Sequence, residues 1–177
     1  MSFGMNENLT FKPVTIAILI ISDSRTLETD TSGQTLQARI TAAGHSVHER
    51  KIVTDDIAEI RKTVSAYIDN PAVDVVITSG GTGLTGRDVT PEAITPLFEK
   101  TIDGFSVMFH HVSFQTIGMS TLQSRAFAGL AKSTFIFCLP GSTGACRTGW
   151  DEIIEPQLDY RNAPCNMVEL LPRLTEQ

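Results

Sequence analysis

The stretch VVITSGGTGLTGRDVTPEA, residues 75–93, runs from β-branched apolar residues straight into Gly80-Gly81-Thr82-Gly83, and on to a Thr-Pro-Glu helix start. A buried strand, a glycine-rich turn and a helix, in that order, make one unit of a parallel α/β sheet. Glycines let the backbone take positive φ and approach a ligand closely, and successive N–H groups then form a nest for an anion. Thr82 adds a hydroxyl. A nucleotide-binding P-loop would end in Gly-Lys-Ser/Thr, whereas this chain continues Gly86-Arg87-Asp88. Gly80, Gly83 and Gly86 do not keep the dinucleotide-binding spacing either. Taken alone, GGTG reads equally as a ligand loop or as a tight strand-to-helix turn.

Outward from this unit the same alternation repeats. VTIAILII (14–21) is a continuous apolar run, predicted to be a strand buried on both faces, and HSVHERKIV (45–53) and STFIFCLP (133–140) are further strands. Leu36, Ile40 and Ala43 share one helical face in SGQTLQARITAAG (32–44), with Ser32 as the expected cap and Gly44 as the stop. Ile57, Ile60, Val64 and Ile68 form the apolar face of a second helix, which starts at Asp55 or Asp56. Helices are also expected at 90–100, at 105–115 and at 142–160, the last interrupted near Pro156. Strands alternating with helices imply crossover connections, hence a mainly parallel sheet with helices on both faces. Residues 1–13 read as a polar arm, disordered or laid on a neighbour. Residues 14–160 read as the domain, and 161–177 as a tail packed on the domain or a partner.

Composition narrows the function classes. The chain has 177 residues, 41% apolar and 19% charged, an ordinary mix for one globular domain. A net charge of −6 argues against a general nucleic-acid binder. No apolar run is long enough to span a membrane, and the N-terminus lacks the pattern of a signal peptide. The three cysteines, Cys138, Cys146 and Cys165, show no metal-ligand spacing and no disulfide pattern, which fits a reducing cytoplasm. Cys138 reads as a buried apolar residue. His110 and His111 read as packing or interface residues, and Phe105, Phe109 and Phe114 as an exposed apolar surface for self-assembly.

In an open α/β sheet, ligands gather beyond the C-terminal strand ends where the crossover direction switches. Three polar loops leave such ends. The first carries Ser22, Asp23 and Ser24, the second runs from Gly80 to Asp88, and the third carries Pro140, Gly141 and Ser142. Ser142 opens a helix, an arrangement that reads either as a capped turn or as a place for an anion. Ser124 and Arg125, in LQSRAFAG, offer a hydroxyl and a guanidinium suited to phosphate, and Arg87 offers a second guanidinium. Asp88 beside a phosphate nest would repel the ligand unless a cation such as Mg²⁺ lies between them. It reads equally as the cap of the following helix. Asp55 has the same two readings, helix cap or second carboxylate of the crevice.

At this point the motifs resemble a known family. TSGGTGLTGRDVTPEA looks like the signature of the MoaB/MogA molybdopterin-binding proteins of molybdenum cofactor synthesis. ILIISDSR, DTSG, IVTDD, LQSRAFAG and LPGS occur in the family's order, and the segments 120–129 and 140–159 look most like its B-type members. The resemblance implies a three-layer α/β/α sandwich assembled as trimers or dimers of trimers. It further implies Mg²⁺-dependent adenylylation of molybdopterin by ATP, with pyrophosphate released, alongside other proteins of cofactor synthesis. The family's two important aspartates correspond to Asp55 and Asp88, as catalytic or metal-holding residues. A binding role without catalysis is the alternative that the resemblance leaves open.

Overall fold

The computed structural model describes residues 4–176. Its elements are β1 (Gly4–Met5), β2 (Thr15–Ile21), α1 (Thr31–Ala42), β3 (Ser46–Val53), α2 (Ile57–Ile68), β4 (Val75–Ser79), α3 (Thr90–Ile94), β5 (Lys100–Thr101), α4 (Asp103–Ile117), β6 (Phe127–Ala131), β7 (Thr134–Leu139), α5 (Thr143–Gly149), α6 (Glu155–Leu158) and β8 (Asn162–Ala163). The main sheet has the order β3-β2-β4-β7-β6-β5. The first four strands in that order are mutually parallel, and β6 runs antiparallel to both β7 and β5.

Alternate residues of β2 face opposite layers. Ile16, Ile18 and Ile20 pack with Leu36, Ile40, Phe105, Phe109 and Trp150 on one side. Ala17, Leu19 and Ile21 pack with Ile60, Val64, Tyr67 and Ile94 on the other. The result is a three-layer α/β/α sandwich with a mostly parallel sheet. Ile16, Ile18 and Leu19 have no exposed surface, and full burial of such a side chain contributes about 1.5–3 kcal/mol. Cys138 sits in the same interior, where burial pushes its thiol pKa up to about 12. No helix among the described residues is long and apolar enough to cross a membrane.

Several expectations change. Asp30, not Ser32, caps α1, accepting from Gly33 N at 2.8 Å. Phe105 and Phe109 belong to the core at 3% and 1% exposure, so they cannot form an outer surface. In this region the exposed apolar side chains are instead Val107, Met108, Phe114 and Ile117 of α4, with Met119 and Leu122 in the 3₁₀ turn that follows. The last long helix is broken by a π turn, Trp150–Ile154, just before Pro156. Proline cannot donate to the helical ladder, and a wider turn accommodates the gap. Residues 4–13 do not leave the chain: β1 pairs with β8, and Lys12 Nζ stands 3.4 Å over the Tyr160 ring. Residues 1–3 of the expected arm and residue 177 of the tail lie outside the described residues.

Candidate functional site

From β2 the chain crosses outward to β3, then returns to form β4 on the other side of β2. Loops leaving neighbouring strands in opposite directions open a crevice at their C-terminal ends. There the β2, β4 and β7 loops line a cleft of about 650 Å³, and Asp55 from the β3–α2 loop joins them.

The glycine loop is stitched into this frame. Gly80 N donates to Leu139 O at 3.1 Å, and Gly80 O accepts from the buried Thr90 Oγ1 at 2.8 Å. Gly80 has φ +113°, and a Cβ there would lie 2.1 Å from the Ile21 backbone oxygen, so only glycine fits. Gly81 also has positive φ, +62°. Thr82 is buried. Arg125 clamps the outer half of the loop. Its backbone N–H donates to Thr82 O at 2.9 Å, its Nε to Gly83 O at 2.8 Å and its Nη2 to Asp88 O at 2.7 Å, while Nη1 pairs with Glu92. Arg125 therefore holds the loop and is not a free guanidinium facing the cleft. Neighbouring Ser124 does line the cleft, and its Oγ is buried with no hydrogen-bond partner among the described residues. Leaving such a group unsatisfied costs about 1–3 kcal/mol, a deficit that a ligand can remove.

In the β2 loop, Ser22 Oγ accepts from the backbone N–H groups of Ser24 and Arg25, each at 3.3 Å. Asp23 accepts from Asp55 N at 3.1 Å and pairs with Arg87 across the cleft mouth. In the β7 loop, Pro140 O accepts from Ser79 Oγ at 3.1 Å and Gly141 O from Ser32 Oγ at 2.9 Å. Ser142 caps α5, accepting from Ala145 N at 3.1 Å, so one N–H at that helix start is already used.

The two aspartates separate from their capping readings. Asp56, not Asp55, caps α2, accepting from Glu59 N at 2.8 Å. The N-cap of α3 is Val89, with no side-chain cap, so Asp88 does not cap it. Asp88 Oδ2 accepts instead from Thr85 N at 3.0 Å and Thr85 Oγ1 at 2.6 Å. Both carboxylates lie against the glycine loop. A methyl group on Gly81 would meet Asp55 Oδ1 at 2.9 Å, and one on Gly83 would meet Asp88 Oδ2 at 2.8 Å.

Their electrostatics differ. The Thr85 hydroxyl beside Asp88 holds its carboxyl below the usual range. Arg87, then the Asp55 N–H, does the same for Asp23. Burial, then the negative charge of Asp23, raises Asp55. Arg87 is engaged with Asp23, and Arg25, also in the cleft wall, is engaged with Ser32 and Asp30. Asp55 and Asp88 thus line the cleft, and among the described residues neither forms a salt bridge to a side-chain cation. Among the described residues no three His, Cys, Asp or Glu side chains gather as a metal cage. Mg²⁺ held by one or two carboxylates and substrate phosphates needs no such cage, and this donor set fits it.

Fourteen of the expected residues line the cleft; Arg125 stands behind it. The sequence reading missed Arg25, Gln123 and Asp30. Asp30 is fully buried, bonded to Arg50 Nη1 at 3.1 Å and 3.5 Å from Arg25 Nη1. Its signal in the sequence is the Asp of the DTSG segment.

Residues 17–160 match the family described as "Probable molybdopterin binding domain". The chain is 52% identical over 156 residues to molybdenum cofactor biosynthesis protein B of Escherichia coli K12, covering 88% of this chain and 92% of that protein. It is 44% identical over 161 residues to the protein of the same name from Bacillus cereus, covering 90% and 95%. A crystal structure of molybdenum cofactor biosynthesis protein B superposes with a TM-score of 0.84 at 41% identity, covering 94% of this chain and 98% of that one.

Proposed function

This chain belongs to the MoaB/MogA molybdopterin-binding family of molybdenum cofactor biosynthesis, and from that membership we propose that it binds molybdopterin and adenylylates it with Mg-ATP. The observation that carries the reading is the pair Asp55 and Asp88, set against one glycine loop with neither carboxylate in a salt bridge among the described residues. In the reaction, an oxygen of the pterin's terminal phosphate forms a bond to the α-phosphorus of ATP. The bond from that phosphorus to the β-phosphate bridge breaks, and pyrophosphate leaves. Two polyanions must meet, so catalysis rests on positioning and charge neutralisation, with no protein nucleophile.

Each group then has a task. The N–H groups of Gly80–Gly83 receive phosphate oxygens. Asp55 and Asp88 would hold Mg²⁺, which when bound supplies charge neutralisation between the phosphates. Ser124 Oγ donates to the pterin phosphate. Arg87 can exchange Asp23 for a phosphate, since its ion pair is exposed and weakly held. Ser22, Ser24 and the Pro140–Ser142 turn border the space left for the nucleotide. The exposed α4 face fits self-association as a trimer or dimer of trimers, and the protein would work in the cytoplasm with other proteins of cofactor synthesis.

One observation favours a second reading, a non-catalytic binder of pterin or nucleotide. Asp88 is already satisfied by two Thr85 donors, as a structural aspartate would be. Incubation of the protein with molybdopterin and Mg-ATP separates the two. Adenylylated product supports the enzyme; molybdopterin-bound, folded protein without product leaves only the binder.

A further inference from the structure

Asp30 has no exposed surface, and its carboxylate has no task in the chemistry described above. At the start of α1 its Oδ1 accepts from Gly33 N at 2.8 Å. Arg50 Nη1, from β3, reaches Oδ2 at 3.1 Å, and Arg25 Nη1, from the β2 loop, stands 3.5 Å from Oδ1. Residue 33 has to be glycine for this cluster to pack, since a Cβ there would lie 2.1 Å from Asp30 Oδ2 and 2.9 Å from Arg50 Cδ. A buried carboxylate is tolerated only when it is paired. One guanidinium suffices to cancel its charge, and here there are two, so the triad keeps a surplus positive charge. Arg50 is the closer partner, and it also donates to the backbone oxygens of Asp30 at 3.4 Å and Leu27 at 3.2 Å. Its side chain is 16% exposed, against 30% for Arg25. The surplus charge therefore rests on Arg25. Arg25 lines the cleft, and Arg50 lies behind it.

Arg25 is tied down by one nitrogen alone. Nη1 donates to Ser32 Oγ at 2.8 Å, and Ser32 Oγ donates in turn to Gly141 O at 2.9 Å, in the β7 loop that borders the nucleotide space. Among the described residues Nε and Nη2 of Arg25 make no hydrogen bond. Arg87, by contrast, spends Nε and Nη2 on Asp23, and Arg125 spends its fork on backbone carbonyls and Glu92. A guanidinium fixed at one corner, with two donors open, is preorganised for paired phosphate oxygens. We infer that Arg25 takes the polyphosphate end of the nucleotide, and that Asp30, backed by Arg50, is the positioning residue that fixes it there. The inference rests on the adenylylation reading above. In that reaction Arg25 neutralises the charge that gathers on pyrophosphate as its bond to the α-phosphorus breaks. Asp30 and Arg50 act through Arg25 and touch no reacting atom.

The test titrates the full chain with magnesium pyrophosphate by calorimetry, and thermal melting checks that each variant is folded. Arg25→Gln is expected to weaken binding about tenfold or more, the usual loss of a charge-assisted pair. Arg25→Lys keeps the charge without the fork and is expected to recover part of that loss. Asp30→Asn gives the sharper reading. Removing a negative charge beside the cleft would by itself draw an anion in, whereas loss of positioning weakens binding, by about threefold or more. Where Asp30→Asn fails to melt cooperatively, Arg50→Gln replaces it, with a loss of the same size expected from a residue outside the cleft wall. The inference is overturned if folded Arg25→Gln binds the probe as the wild type does. It is also overturned if folded Asp30→Asn, or Arg50→Gln in its place, binds as tightly as the wild type or more tightly. Wild-type protein that binds molybdopterin but not magnesium pyrophosphate would defeat this inference alone. Wild-type protein that binds neither would defeat the functional reading with it.

Discussion

Replacing Arg125 separates a loop clamp from a phosphate ligand. Two of its guanidinium nitrogens donate to backbone carbonyls, Gly83 O at 2.8 Å and Asp88 O at 2.7 Å. Hydrogen bonds from a charged donor contribute about 1.5–3 kcal/mol each. The side chain is 32% exposed, so the lower end applies, about 3 kcal/mol for the two. The half-exposed pair with Glu92 adds less than about 1 kcal/mol. Arg125→Ala should therefore lose about 3 kcal/mol without any ligand, or about 6–12 °C in melting temperature for a chain of this size. Arg125→Lys should recover little, because an ammonium lacks the planar fork that reaches two carbonyls. Thermal unfolding followed by circular dichroism, in phosphate-free buffer, reads the effect. If Arg125→Ala melts within about 2 °C of wild type yet loses phosphate-ligand affinity, the clamp is wrong and Arg125 is a direct phosphate ligand.

Other consequences follow from the same geometry. Gly80→Ala should cost more than about 1 kcal/mol from backbone strain alone, before the collision at 2.1 Å with Ile21 O; an unchanged denaturation midpoint would contradict the fit described. Asp55 has a raised pKa in the fold, from burial and then Asp23, so its contribution is fully present below the unfolded value of 3.8 and is lost as pH rises through the folded value. Ionised Asp55 is then a burden at neutral pH, and Asp55→Asn should raise the ligand-free melting temperature there, with the gain vanishing in acid; a lower melting temperature at neutral pH would refute this. The wild type should scatter light as a trimer or hexamer at micromolar concentration, and Phe114→Asp with Ile117→Asp should shift it toward monomer; a monomeric wild type would remove the assembly proposal.

The sequence made the centre of the fold legible because fully buried parallel strands leave apolar runs, as in Ile16–Ile21 and Val75–Ile77. β6 escaped because Phe127–Ala131 is FAGLA, with two alanines, a glycine and no β-branched side chain. The reason is local: Phe98 lies over Gly129, and a Cβ there would come within 2.2 Å of its ring. The α4 face was misassigned because Phe105, Phe109 and Phe114 look alike in sequence, while the helix buries two of them and exposes the third. The cleft was legible through its loops, since three polar turns after apolar strands point to one end of a parallel sheet. What each side chain does within it was less so. Asp55 and Asp56 are adjacent and chemically identical, and only backbone geometry assigns the cap to Asp56. Arg125 looked like an anion ligand because nothing local reveals that the carbonyls of Gly83 and Asp88, 42 and 37 residues away, come to meet it.

The most direct measurement incubates the purified chain with molybdopterin and Mg-ATP and quantifies adenylylated pterin and pyrophosphate. The wild type is expected to release both products in equal amounts. Asp88→Asn is expected to lose them, with molybdopterin still bound. Folded, molybdopterin-loaded wild-type protein that releases no pyrophosphate would contradict the adenylylation reading.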